Sequence, residues 1–146
     1  MNGLLLTVAA CAAMTACAAD PAGMVSYQVH EDSITTPLTA IAGDAARGRD
    51  VIAGREGNCL LCHFARETGE RFMGNVAPPL SGVGARLSAG QIRLRVVDPT
   101  RLKRDAVMPA YYRVDGLNDV ALPYRGKPIL TAQQVEDVVA YLVTLR

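Results

Sequence analysis

The stretch Gly57-Asn58-Cys59-Leu60-Leu61-Cys62-His63-Phe64 sets two thiols and an imidazole within five positions. The whole chain of 146 residues offers four cysteines and two histidines, so this turn concentrates most of its soft-ligand chemistry. Three readings compete. A closed zinc site would use Cys59, Cys62 and His63, but Cys62 and His63 are adjacent and make poor joint ligands. The fourth ligand would have to be His30 or a carboxylate, and no second ligand pair stands at a fixed spacing. A redox dithiol needs a βαβ context that the surrounding pattern does not show. The third reading is the Cys-x-x-Cys-His attachment signature of haem c. Each thiol adds to one vinyl group of the porphyrin, and a two-residue gap in a helical turn matches the vinyl separation. His63 follows directly, so its imidazole can rise under the iron as the proximal ligand. The turn is therefore read as the attachment site of one covalent haem c.

Composition fits that reading. Half the residues are hydrophobic, yet there is no tryptophan and only two phenylalanines, so the usual aromatic core is missing and a large apolar cofactor can fill its place. The formal charge of +1 argues against non-specific nucleic-acid binding, which needs a strong basic excess. The length bounds the chain to one domain with extensions.

The first nineteen residues, MNGLLLTVAACAAMTACAA, carry no charged side chain. They are too few and too rich in alanine for a membrane span, and they read as an export signal with small residues suited to cleavage after Ala19. The usual basic start is absent. Cys11 and Cys17 lie in this segment, and the VAAC and MTAC boxes offer a lipoprotein-type alternative, with a lipid anchor at Cys17. Either way at most one extra cysteine remains, which nearly excludes a disulfide framework. Export suits haem c, which is attached outside the cytoplasm.

Residues 20–43 show no sustained periodicity and read as an N-terminal extended arm, either a linker or a strap on a partner. Asp44 caps a helix in which Ala45, Gly48 and Ile52 share a face, and Gly48 points to a close packing contact. Residues 64–87 read as loop. Ser88 and Gln91 form a capping box for a helix ending near Val97 before Asp98-Pro99. Residues 100–130 are irregular. Thr131 and Gln134 open a final helix whose Val135, Val138, Val139, Leu142 and Leu145 lie on one face. The expectation is an all-α domain over 44–146, with short helices and long loops packed on the cofactor.

A sixth iron ligand is sought among Met24, Met73, Met108 and His30. Met108, followed by Pro109, is far enough past His63 to cross to the other haem face, and it is favoured over its rival Met73. Methionine opposite histidine raises the potential and suits electron transfer. The other imidazole nitrogen of His63 needs an acceptor, and the carbonyl of Pro78 is the candidate, with Pro79 its near rival. Tyr111, Tyr112 and Arg113 are candidates for the haem propionates. The basic residues Arg86, Arg93, Arg95, Arg101, Lys103 and Arg104 make either a solvated face or a docking surface for an acidic redox partner.

With the glycine-bearing first helix, Cys59-x-x-Cys62-His63, the Pro78 loop, Met108-Pro109 and the final amphipathic helix, residues 44–146 resemble class I cytochromes c. The stretch from Leu87 to Arg146, above all RLRVVDPTRL and MPAYYR, closely resembles the SoxX family, the small mono-haem subunits of SoxXA complexes of bacterial sulfur oxidation. That resemblance implies a periplasmic heterodimer with a SoxA-like cytochrome. Such a complex, an L-cysteine S-thiosulfotransferase, joins thiosulfate to a cysteine of a SoxYZ-like carrier and releases two electrons. The small subunit would take those electrons and pass them to another c-type cytochrome. By motif, Cys59 and Cys62 would attach the haem and His63 and Met108 would ligate iron. No catalytic residue is expected: His63 is committed, no further cysteine remains in the domain, and catalysis by this chain alone is not foreseen. The alternative is a free-standing soluble c-type electron shuttle.

Overall fold

Four short helices carry the architecture of this computed structural model, which describes residues 24–146. The expected export signal over 1–19, with Cys11 and Cys17, lies outside the described residues. Helix α1 runs Ala45–Ala53, α2 Val83–Arg86, α3 Ala89–Val97 and α4 Ala132–Leu142. Short 3-10 turns and loops join them. The described residues hold no β-strand beyond an isolated bridge between His30 and Ser33, so the all-α expectation with long loops holds. None of the described helices is long and apolar enough to cross a membrane.

Local chemistry starts each long helix. Asp44 has an extended backbone and its carboxylate accepts the Arg47 N–H at 2.8 Å, which satisfies one of the donors that a helix start leaves open. Ser88 with Gln91 and Thr131 with Gln134 form reciprocal capping boxes, at 2.9 and 3.3 Å and at 2.8 and 3.2 Å. On α4, Val135, Val138, Val139 and Leu142 are all buried, and Leu145 just beyond the helix joins them.

Helix α1 is too polar to dock by an apolar stripe; it buries only Gly48 and Ile52. It crosses α4 backbone against backbone instead. A Cβ on Gly48 would stand 1.9 Å from the Asp137 carbonyl oxygen, so the crossing tolerates no side chain there. Beside it the Asp137 carboxylate is buried. It accepts from Arg47 Nε and Nη2 at 2.8 Å each and from the Asp44 N–H at 2.8 Å. Burial pushes this carboxyl up, but the bonds from Arg47, Asp44 N–H and Gln133 outweigh burial and hold it below the usual carboxylate range.

A pair in which both side chains are buried joins α3 to α4. Arg93 donates through Nε and Nη2 to the two oxygens of Glu136, at 2.8 Å each, and both side chains are 5% exposed. Arg93 Nη1 also donates to the Ile34 carbonyl at 2.6 Å, and Glu136 Oε1 accepts the Leu38 N–H at 2.9 Å. The segment 24–43 is thus tied to its own domain, with Ile34 and Leu38 in the core.

Two expectations are corrected here. Arg93 does not belong to an exposed basic surface, because Val96 and Val97 lie three and four positions on and carry it to the buried face. Residues 64–87 are not all loop. Helix α2 forms within them because the Gly84 N–H reaches the Leu145 carbonyl at 2.8 Å, a contact 61 positions away along the chain.

Candidate cofactor site

The Cys59–His63 turn and the Met108-Pro109 segment line one apolar cleft together with Ile52, Leu130, Val138 and Leu142. One wall is set by α1. After the helix, Gly57 runs so close to it that a Cβ would stand 2.3 Å from the Val51 carbonyl oxygen. Asn58 takes a left-handed φ of 46°, and a 3-10 turn begins at Cys59. The N–H groups of Cys62 and His63 both bond to the Cys59 carbonyl, at 3.2 and 3.0 Å. This winding brings Cys59, Cys62 and His63 to the same cleft.

His63 Nδ1–H donates to the Pro78 carbonyl at 2.7 Å. That bond assigns the proton to Nδ1 and leaves Nε2 with its lone pair as a ligand. The rival carbonyl, Pro79, is taken by Arg86 Nη2 at 2.9 Å, and Arg86 Nη1 holds the Ser81 carbonyl at 2.8 Å. Arg86 therefore braces the loop that orients the histidine.

Burial pushes the Cys59 thiol up to about 11, against smaller lowering by the nearby Tyr111 hydroxyl. A thiol so raised stays protonated at neutral pH, whereas redox dithiols work through a lowered pKa. The described residues contain no group of three or more His, Cys, Asp and Glu side chains arranged to hold a metal ion.

Met108 lines the same cleft. Met73 does not. Its sulfur accepts the Ala65 N–H at 3.3 Å, and its side chain borders a separate depression with Leu61 and Phe72. His30 is exposed in the turn with Ser33. The structure thus brings together Cys59, Cys62, His63 and Met108, with Pro78 behind the imidazole, and leaves Met73 and His30 elsewhere.

The reading of Tyr111, Tyr112 and Arg113 as propionate partners is corrected. Tyr111 is buried and its hydroxyl donates to the Gly57 carbonyl at 2.7 Å. The Tyr112 hydroxyl accepts the Val25 N–H at 2.7 Å, and Arg113 Nη1 donates to Thr100 Oγ1 at 2.8 Å and Asp98 Oδ1 at 3.2 Å. Of the three, Tyr111 alone lines the cleft. Val76 and Val107, exposed by 80% and 90%, flank the cleft without any local sequence signal to single them out. Arg101, Lys103 and Arg104 remain exposed just ahead of Met108.

Among the described residues, no Asp, Glu, Lys or Arg lines the cleft. Two thiols, an imidazole lone pair and a thioether sulfur converge on an apolar space. This donor set fits a flat apolar cofactor that is bonded through its edge and gripped at a central metal.

A family model described as cytochrome c matches residues 45–146. Among solved structures, a chain of the crystal structure of SoxXA from P. pantotrophus is similar, with a TM-score of 0.75 and 36% sequence identity; the match covers 82% of this chain and 93% of that one. A search of curated protein sequences returns no match.

Proposed function

The chain belongs to the cytochrome c family, and from that premise we propose that it is the electron-transfer subunit of a SoxXA-type thiosulfate-oxidising complex in the periplasm. It is SoxX-like and carries one haem c. The cofactor, once bound, supplies a reversible one-electron centre. The chain's residues do the rest. Cys59 and Cys62 would anchor the porphyrin edge as thioethers. His63 Nε2 and the Met108 sulfur would hold the metal, and the Pro78 carbonyl keeps the imidazole in one tautomer and orientation. The apolar walls exclude water, and the thioether ligand favours the reduced state. In this reading residues 1–19 direct export and 44–146 form the haem domain, onto which 24–43 packs.

In this reading the partner is a SoxA-like cytochrome, and the complex acts on a SoxYZ-like carrier. Joining thiosulfate to a carrier cysteine releases two electrons, so a one-electron subunit must be loaded and emptied twice per turnover, discharging to a downstream c-type cytochrome. The chain offers substrate no catalytic side chain.

The observation that carries this reading is the meeting of Cys59, Cys62, His63 and Met108 in one cleft. Protein exported with its haem-attachment machinery is expected to keep its pigment through acid–acetone denaturation and to copurify one-to-one with the SoxA-like subunit. Loss of pigment refutes the site; a monomer in the presence of that subunit refutes the complex. Met108→Ala should abolish the methionine-to-iron(III) charge-transfer band, lower the potential and let the reduced protein bind carbon monoxide.

A further inference from the structure

Met108 sits on a poorly anchored segment. Among the described residues, the N–H groups of Val107, Met108 and Ala110 find no backbone acceptor, and Pro109 has no N–H. The first firm point after Met108 is Tyr111. Its N–H donates to the Val96 carbonyl at 3.1 Å, at the end of α3, and its carbonyl accepts the Leu130 N–H at 3.0 Å, just before α4. Its side chain lines the cleft and reaches the segment that leads into the Cys59–His63 turn, where the hydroxyl donates to the Gly57 carbonyl two residues before Cys59. That acceptor cannot drift, because Gly57 lies hard against the backbone of α1.

We propose that Tyr111 is a positioning residue: a strut that fixes the separation between the wall bearing Met108 and the wall bearing Cys59, Cys62 and His63, and so keeps the methionine sulfur within reach of the metal. This rests on the ligand assignment proposed above. The hydroxyl is the part that matters, since the ring alone packs on the cleft while only the O–H reaches the Gly57 carbonyl. Removing it takes away the strong donor to the buried Gly57 carbonyl, which the Cys59 sulfur approaches only at 3.5 Å and, once bonded as a thioether, without a proton to give, and it frees the 107–110 segment to move.

Holo-protein carrying Tyr111→Phe tests the strut. Phenylalanine keeps the ring and nearly all the volume, so the fold stays. Added imidazole competes with the methionine sulfur for ferric iron. The variant is expected to bind imidazole about tenfold more tightly, as the loss of one buried hydrogen bond implies, and to admit carbon monoxide when reduced. Tyr112→Phe is the control: it removes a neighbouring hydroxyl that serves the Val25 N–H. That change should weaken resistance to urea without moving imidazole affinity. If Tyr111→Phe shifts imidazole affinity no more than Tyr112→Phe does, the strut is refuted. Met108→Ala separates the two failures. If that variant keeps the charge-transfer band, the ligand assignment falls and the strut with it; if it loses the band while Tyr111→Phe changes nothing, only the strut falls.

Discussion

Where α1, α3 and α4 meet, two carboxylates are buried and each has an arginine partner; around the cleft there are scarcely any polar partners at all. The first region holds Arg93 with Glu136 and Arg47 with Asp137, and it closes on itself through bonds of 2.8 Å. The second offers apolar surface, four soft donor atoms and a ligand segment without backbone bonds. The contrast separates two tasks. The frame is finished by the polypeptide alone, whereas the cleft is completed by the cofactor that the family carries, so substitutions in the two regions should be read out differently.

The largest effect on folding is expected from Glu136→Ala. It leaves the Arg93 guanidinium buried without its counter-charge and releases the Leu38 N–H, at a cost of about 3–5 kcal/mol. Urea titration of the holo-protein measures it, and the charge-transfer band should be unaltered in the molecules that remain folded. If that band vanishes before unfolding, the two regions are not independent. Gly48→Ala comes next. Alanine favours a helix by about 1 kcal/mol over glycine, but the new methyl collides with the Asp137 carbonyl, and a net loss of about 2 kcal/mol is expected in the same titration. An unchanged midpoint would mean that α1 and α4 are not in backbone contact.

The smallest effect concerns acid. The folded Asp137 carboxyl titrates below its unfolded range, so its contribution is present above the unfolded pKa and is lost as pH falls through the folded one. Asp137→Asn should therefore cost about 1 kcal/mol at neutral pH. That gap should shrink toward zero below about pH 4, the usual carboxylate range. A gap that does not depend on pH would assign the effect to packing and not to charge.

Much of the frame was legible in the sequence because its signals are local. Asp44, Ser88 with Gln91, and Thr131 with Gln134 bond within three residues, and the apolar face of α4 repeats within one helix. The Cys59–His63 turn was legible for the same reason. The buried Arg93–Glu136 pair was not, since Arg93 finds Glu136 across 43 positions and a lone charge on a helix reads as solvent-facing. The buried stripe through Val96 and Val97 was the available clue. Tyr111 was misread for a related reason. A tyrosine near a cofactor segment suggests a contact with the cofactor, but its acceptor is the Gly57 carbonyl 54 positions away, which spacing does not reveal.

The knot of Ile34, Leu38, Arg93 and Glu136 also imposes an order of events on a chain that emerges from its N-terminus. The Leu38 N–H is delivered early, yet the carboxylate that receives it lies 98 positions further along the chain. A polypeptide stalled before α4 already holds its Cys59–His63 turn while the clasp over the 24–43 segment still lacks its acceptor.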